Sequence, residues 1–299
     1  MAYKSKVSAS KINLYHSCPR RFYLKYKKGI QEPKTEALVK GSFVHSIIEE
    51  FYKLNPRDCS ITLRNYEIEF PKYMDSVIEK VLKAHRTSFG KDVPTYEEEL
   101  KEVTKDKFEY VKALVDVKKI MRNFLTLFLI QFEQTVDKSE FFAQSWYSCR
   151  IKFSELELST DDFIGFIDSG IEKDGKLILV DYKTSKYYKL SYVEDYELQL
   201  NLYAAMYYKL FDVIPDYCCV YFVRYGIQGY HKIDKLNVVR EMEYIINQFK
   251  ENTISDNIED YPMNYDYMFC TCKDCTNKKN RGKSWCYYEK WCNGEIVIN

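Results

Sequence analysis

The sequence predicts an α/β domain in which a mixed central sheet is flanked by helices, with a helical insertion before the sheet and a cysteine-rich tail after it. Three observations carry that prediction. Runs rich in Ile, Leu, Val, Phe and Tyr mark strands at roughly 144–153, 162–172, 176–183 and 217–224. Stretches of helical period follow at about 193–211 and 234–250, so strands and helices mix around one sheet. The segment 55–139 reads as mostly helical and densely charged, without strand alternation.

In chain order, Ser8 to Ile30 comes first. Ser10 can cap a helix through Leu14, and a second helical stretch follows Pro19, a favoured first-turn residue. Arg20, Arg21, Lys25, Lys27 and Lys28 interleave with Phe22, Tyr23 and Tyr26. That pattern suits a strand-binding surface, with cations on phosphates and rings on bases. It equally suits an amphipathic helix with buried aromatics and solvated charges.

A helix is expected over 36–54, with Leu38, Val39, Phe43, Ile47, Ile48 and Phe51 as its apolar stripe. His45 and Glu49 share one of its faces. In the insertion, Thr95 and Glu98 form a capping box, and 114–132 is apolar enough to pack on the body of the domain.

Asp174-Gly175 separates two strand-like runs, a strong signal for a two-residue hairpin. Such a turn sets Lys173 against Lys176 and, in the same register, Asp168 against Asp181. Asp181 and Lys183 share a face by alternation. Opposed like charges destabilise a hairpin, and a divalent cation is the natural compensation. On the helix that follows, Gln199 and Tyr203 lie one turn apart.

The 299 residues suffice for a sizeable core, and the near balance of 45 Lys+Arg with 44 Asp+Glu excludes a strongly basic nucleic-acid binder. Any such site must be a local patch. The N-terminus has no apolar leader, and 124–132 is too short to span a bilayer, so the expected location is cytoplasmic with no membrane partner. Disulfides are rare there, so the ten cysteines, five of which fall between Cys270 and Cys292, call for another explanation. Cys272, Cys275, Cys286 and Cys292 suit a tetrahedral zinc site, while three of them with distant Cys18 suit an iron–sulfur cluster.

Taken together, these motifs resemble the RecB-like branch of the PD-(D/E)XK nucleases over most of the chain. Ser17-Cys18-Pro19-Arg20-Arg21-Phe22-Tyr23 resembles the family's opening helix, and Gly41 to Glu49 its first motif. Gly165-Phe166-Ile167-Asp168 and Asp181-Tyr182-Lys183-Thr184 resemble the second and third, and Gln199 to Tyr203 its QxxxY helix. The resemblance implies a restriction-endonuclease-like core in a single domain: N-terminal helices over 1–54, the insertion over 55–140, the catalytic core over 141–260 and the metal-binding tail over 261–299.

It also implies Mg²⁺ or Mn²⁺ held by His45, Asp168, Asp181 and the Tyr182 carbonyl, with Lys183, Gln199 and Tyr203 completing the catalytic set. Arg20, Arg21 and Lys25 are the expected nucleic-acid contacts. A 4Fe-4S cluster on four of Cys18, Cys272, Cys275, Cys286 and Cys292 is implied in turn, with zinc as the alternative. The tail departs from the family spacing, because Lys283 stands where a cysteine is usual.

The implied activity is DNA exonucleolysis in recombination, repair or replication, on DNA with a free end or unpaired strand. No G-x-x-x-x-G-K-[ST] loop is present, so ATP-driven unwinding requires a helicase or other partner. The competing expectations are an inactive nucleic-acid-binding protein on the same fold and a structural module built around a zinc tail.

Overall fold

The computed structural model describes residues 6–88, 90–186, 196–264, 286–292 and 294–296. Helix α1 spans Ala9–Ser17, capped by Ser8, whose Oγ accepts from the Lys11 amide. The cap thus falls two residues earlier than expected at Ser10. After one extended residue, Cys18, helix α2 runs over Pro19–Phe22 with Pro19 in its first turn, and a π-helical turn continues over Tyr23–Lys27. Phe22 and Tyr23 are buried, so these aromatics belong to the core.

Helix α3, Glu36–Phe51, starts at Thr35, whose side chain accepts from the Leu38 amide. Its stripe from Val39 to Phe51 is buried, although Leu38 itself is exposed. Helix α4 spans Tyr66–Lys83, and the short strands β1, Arg86–Ser88, and β2, Lys91–Val93, form a hairpin that the helical reading of the insertion did not contain. Helix α5, Tyr96–Val103, carries the expected Thr95–Glu98 capping box. The 30-residue α6, Lys107–Val136, sets Phe124, Phe128 and Phe132 at four-residue intervals into the core.

The stretch read as a strand from 144 begins instead as helix α7, Phe142–Cys149. Phe142 and Trp146, four apart, both pack against the Phe70 ring, Trp146 stacked on it, so burial follows a helical period there. Only then does the sheet begin, with β3, Phe153–Ser159, β4, Ile164–Lys173, and β5, Lys176–Lys183. Helix α8 spans Glu197–Phe211, followed by β6, Tyr217–Phe222, β7, Ile227–Lys232, and helix α9, Val238–Asn252. A final turn, α10, spans Glu289–Cys292.

The five strands lie in the order β3-β4-β5-β6-β7, antiparallel except for the parallel pair β5–β6. This is the mixed sheet that the sequence predicts. Strand β5 is buried on both sides, as a central strand in such a fold must be. Ile178, Val180 and Tyr182 face α3, α4, α6 and α7; Leu177 and Leu179 face α1, α2, α8 and α9.

The last described segment returns to the first. Tyr288 Oη donates to the Ile30 carbonyl at 2.9 Å, and Arg20 Nε donates to the Tyr261 carbonyl at 2.7 Å. Among the described residues, no helix is long and apolar enough to cross a membrane.

Candidate active site

The site is built where the β4–β5 hairpin meets α3 and α8. Asp174 and Gly175 both adopt positive φ, 51° and 71°, as a tight two-residue turn requires. That turn fixes Lys173 opposite Lys176 and carries the register as far as Ser169 opposite Val180. Asp168 and Asp181 would be the next pair, but regular pairing stops at Ser169 and Val180. Asp168 Oδ2 instead accepts the backbone N–H of Tyr182 at 2.6 Å.

The cause lies in β3. Glu155, opposite Asp168 in the β3–β4 register, has a φ of 48°. Phe153 and Leu156 are three residues apart yet pack on the same face, which regular alternation forbids. A Cβ on Gly170, opposite Phe153, would lie 2.3 Å from that ring, so β4 must be glycine there. The local reversal brings Glu155 and Asp168 together on the α3 side.

His45 projects from α3 to meet them, with Nδ1 2.9 Å from Asp168 Oδ1. One ligand atom from each of His45, Glu155 and Asp168 lies within 4.8 Å of the others. Adjacent ligands of an octahedral ion with bonds of about 2.1 Å stand about 3 Å apart, so the His45–Asp168 spacing already suits Mg²⁺ or Mn²⁺. Glu155 was missed at the sequence level, because only its unusual backbone turns it toward the site. Glu49, which shares a helix face with His45, instead pairs with Lys53 at 2.8 Å.

Asp181 is only 6% exposed. Its Oδ1 accepts from Gln199 Nε2 at 2.8 Å, and its Oδ2 lies 2.6 Å from Lys183 Nζ. That ion pair lacks hydrogen-bond alignment, leaving Oδ2 buried without a donor aimed at it. A buried carboxylate beside a His/Glu/Asp group, with Lys183 as its cationic neighbour, is a good fit for a cation. Gln199 Oε1 accepts from Lys183 Nζ at 3.5 Å, Gln199 Nε2 reaches Tyr203 Oη at 3.0 Å, and the Lys183 ammonium lies 4.5 Å from the Tyr196 ring centroid. One amide thus orients the acid, the ammonium and the phenol together. Tyr182 turns its ring to the other face, where its Oη meets Ser169 Oγ at 2.9 Å.

The electrostatics are those of crowded carboxylates. Burial pushes Asp181 above its ordinary value, Lys183 opposes this, and Asp168 adds to it. Burial, then Asp168, also raises Glu155. For His45, burial favours the neutral ring, but the hydrogen bond and charge of Asp168 outweigh it and the net shift is upward. Burial likewise opposes charge on Lys183, yet Asp181 keeps its pKa above the usual lysine value.

A cleft of about 700 Å³ adjoins Gln199 and Tyr203, with α1 on one side and the start of β4 on the other. Arg21 lines it, with Nε and Nη2 bonded to Glu32 Oε1 at 3.1 and 2.6 Å. Lys25 also pairs with Glu32, at 3.5 Å, and Arg20 with Glu259, at 3.8 Å. All three expected nucleic-acid contacts therefore have partners within the chain.

Of the expected cluster ligands, Cys272 and Cys275 lie outside the described residues, as does Cys270. Cys18 and Cys286 both lie near enough to Cys292 to act on its thiol. Burial, then Cys286 and Cys18, push the Cys292 thiol up to about 12.

A family model described as the PD-(D/E)XK nuclease superfamily matches residues 6–293. No curated protein matches the chain.

Proposed function

The chain belongs to the PD-(D/E)XK nuclease superfamily, and we propose that it is a divalent-metal-dependent DNA exonuclease of the RecB-like branch. Membership suggests metal-dependent cleavage of nucleic acid. The DNA substrate, the exonucleolytic mode and a role in recombination, repair or replication are the finer reading. The main support for a nuclease is the convergence of Asp168, Asp181 and Lys183 with His45 from α3 and Gln199 from α8.

His45, Glu155, Asp168 and Asp181, with the Tyr182 carbonyl, would hold Mg²⁺ or Mn²⁺. When bound, the ion supplies Lewis-acid polarisation of the scissile phosphate and eases deprotonation of the attacking water. Lys183 stays protonated beside Asp181 and donates to the water or to the oxygens that gain charge in the transition state. Gln199 fixes the rotamers of Asp181 and Lys183, and Tyr203 holds Gln199. Arg20, Arg21 and Lys25 would meet the DNA backbone only by sharing or leaving their acidic partners.

The same reading keeps one domain divided at 1–54, 55–140, 141–260 and 261–299. A 4Fe-4S cluster would take four of Cys18, Cys272, Cys275, Cys286 and Cys292 and staple the two chain ends, with zinc as the alternative metal. The proximity of Cys18 to Cys292 favours a ligand set that includes it. A cytoplasmic protein supplied with DNA ends or single strands by a helicase or another recombination or replication partner completes the proposal.

The test is degradation of end-labelled single- and double-stranded DNA by anaerobically purified protein in Mg²⁺ or Mn²⁺, beside Asp181→Ala. Loss of activity in the variant supports the site. Equal activity in both removes it, and no cleavage by wild type removes the nuclease reading.

A further inference from the structure

The cations expected to meet DNA, Arg20, Arg21 and Lys25, are engaged by Glu259 and Glu32. Cations free of acids stand on the insertion instead. Lys118, Lys119 and Arg122 fall close together on α6, with Lys119 and Arg122 exposed and Lys118 half-buried. Among the described residues, none of the three has an acidic partner. Neighbouring cations are paired: Lys72, Lys80 and Lys83 on α4 with Glu69, Glu50 and Glu79, and Lys112, earlier on α6, with Glu109. Asp116 is the one acid within four residues of the three, and its carboxylate is turned to Lys40 and Arg224. Arg122 lies four residues from Lys118 and three from Lys119, and like charges at those spacings destabilise a helix. An anion bound at this face offsets the repulsion.

The position of the face identifies the anion. Asp116 and Asn123, seven residues apart, lie on one side of α6 and both hold Arg224, Asp116 through its terminal nitrogens and Asn123 Nδ2 by donating to its carbonyl. Arg224 Nε in turn donates to the Thr184 carbonyl at 3.3 Å, the residue after Lys183. Lys119, three residues past Asp116 and four before Asn123, stands between these two grips. The cationic face therefore borders the strand end that carries Asp181 and Lys183. From Lys118 to Arg122 the helix rises about 6 Å, close to two phosphate steps of about 3.4 Å along a duplex strand.

We infer that Lys118, Lys119 and Arg122 form a phosphate-binding face that holds the DNA backbone a few nucleotides from the scissile bond. The inference rests on the nuclease reading and deepens it, because it moves the backbone contacts from the N-terminal helices to the insertion. Contacts to phosphates fix the register and orientation of the nucleic acid and carry no sequence information. The face therefore positions DNA of any sequence for the catalytic groups.

The test is binding of fluorescently labelled DNA to the full chain in Ca²⁺, read by anisotropy over a series of salt concentrations. Each phosphate contact releases counterions, so the slope of log affinity against log salt counts the contacts. The triple variant Lys118→Gln, Lys119→Gln, Arg122→Gln should have a slope shallower by about 2 on a single strand and by about 3 on a duplex. Its affinity deficit should shrink as salt rises. Lys118→Arg with Lys119→Arg, which keeps the charge, should retain the wild-type slope. So should Lys72→Gln, Lys80→Gln, Lys83→Gln, which removes the same charge from α4. Circular dichroism checks the fold of each. A wild-type slope in the α6 triple variant overturns the inference, and so does an equal loss of slope in the α4 triple variant, which would make the effect one of net charge. Release of label in Mg²⁺ judges the nuclease reading separately. A slope that falls only in the α6 variant, without cleavage by wild type, removes that reading and keeps the face; cleavage with an unchanged slope removes the face alone.

Discussion

Gln199 Nε2 donates to Asp181 Oδ1 at 2.8 Å, and this bond ties the first turn of α8 to the strand that carries the acid and Lys183. Because Asp181 is buried, the bond counts for more than a surface contact would. Replacing Gln199 with Leu removes a donor to a carboxylate, a loss of about 1.5–3 kcal/mol. The expected result is a fall in kcat of about 10- to 100-fold with little change in KM. Steady-state kinetics, with circular dichroism as a control for folding, checks it.

Glu155 gives a prediction with two signs. Burial first, then the neighbouring carboxylates Asp168 and Glu49, raise its pKa, so in metal-free protein Glu155→Gln removes a disfavoured charge and raises Tm. If it is a ligand, the same change weakens Mn²⁺ binding, on the order of 10- to 100-fold. Thermal melts with EDTA and with Mn²⁺, together with electron paramagnetic resonance titration of Mn²⁺, read both effects. A Mn²⁺ affinity equal to wild type would exclude Glu155 from the ligand set.

That residue also marks where sequence legibility ends. Asp174-Gly175 has few conformational options, so the hairpin and its register as far as Ser169 opposite Val180 followed from local turn chemistry. Gln199 and Tyr203 were legible from spacing as neighbours one helical turn apart, and their place at the site followed from the family resemblance. Glu155 was not, because its role depends on one positive φ that reverses the faces of β3, and nothing in the spacing of Phe153 and Leu156 announces the reversal. The stretch from 144 failed for a different reason. Its Trp146 is placed by contact with Phe51, Phe70 and Phe128, residues distant in sequence whose aromatic packing selects helix over strand. The early helix cap is a smaller case: Ser8 and Ser10 are chemically alike, and the helix begins at whichever one the preceding strand contact at Val7 allows.

The insertion is anchored to the catalytic strand through Asp116 on α6. Its carboxylate takes both terminal nitrogens of Arg224 and, at 2.7 Å, Lys40 Nζ, while Arg224 Nε donates to the Thr184 carbonyl at 3.3 Å, one residue past Lys183. The Arg224 hydrogen bond, then Lys40, hold Asp116 well below the ordinary carboxylate value against the opposing effect of burial. A depressed folded pKa contributes stability that is complete above the unfolded value and is lost as pH falls through the folded one. Asp116→Asn should therefore cost about 3 kcal/mol at neutral pH, leaving Lys40 and Arg224 without their anion. It should also lose less stability than wild type on acidification below about pH 4. Urea melts across that range are the measurement. A variant with the wild-type pH profile would show that Asp116 is not the group responsible.

The thiols at the chain ends make a compositional prediction. If Cys18 joins the tail cysteines in a 4Fe-4S cluster, anaerobically purified protein carries about four iron and four sulfide per chain, and Cys18→Ser loses them. Stoichiometric zinc that survives Cys18→Ser would instead assign the metal to the tail alone. A metal held by Cys18 together with the tail cysteines closes a loop of most of the chain's length. Its removal is therefore expected to lower Tm more than removal of Mg²⁺ does, by restoring freedom to the unfolded chain.

Gly165 gives the most local prediction. A Cβ at this position would lie 2.9 Å from ring carbons of both Phe163 and Tyr203, closer than real side chains approach. Phe163 is fully buried and cannot yield, so the strain in Gly165→Ala falls on Tyr203. Overpacking of this kind costs about 1–3 kcal/mol. Displacing Tyr203 also withdraws the phenol from Gln199 and loosens the amide that orients Asp181. The variant should lose activity, and the further change Tyr203→Leu should restore stability without restoring activity. A double variant as active as wild type would mean that Tyr203 serves packing alone.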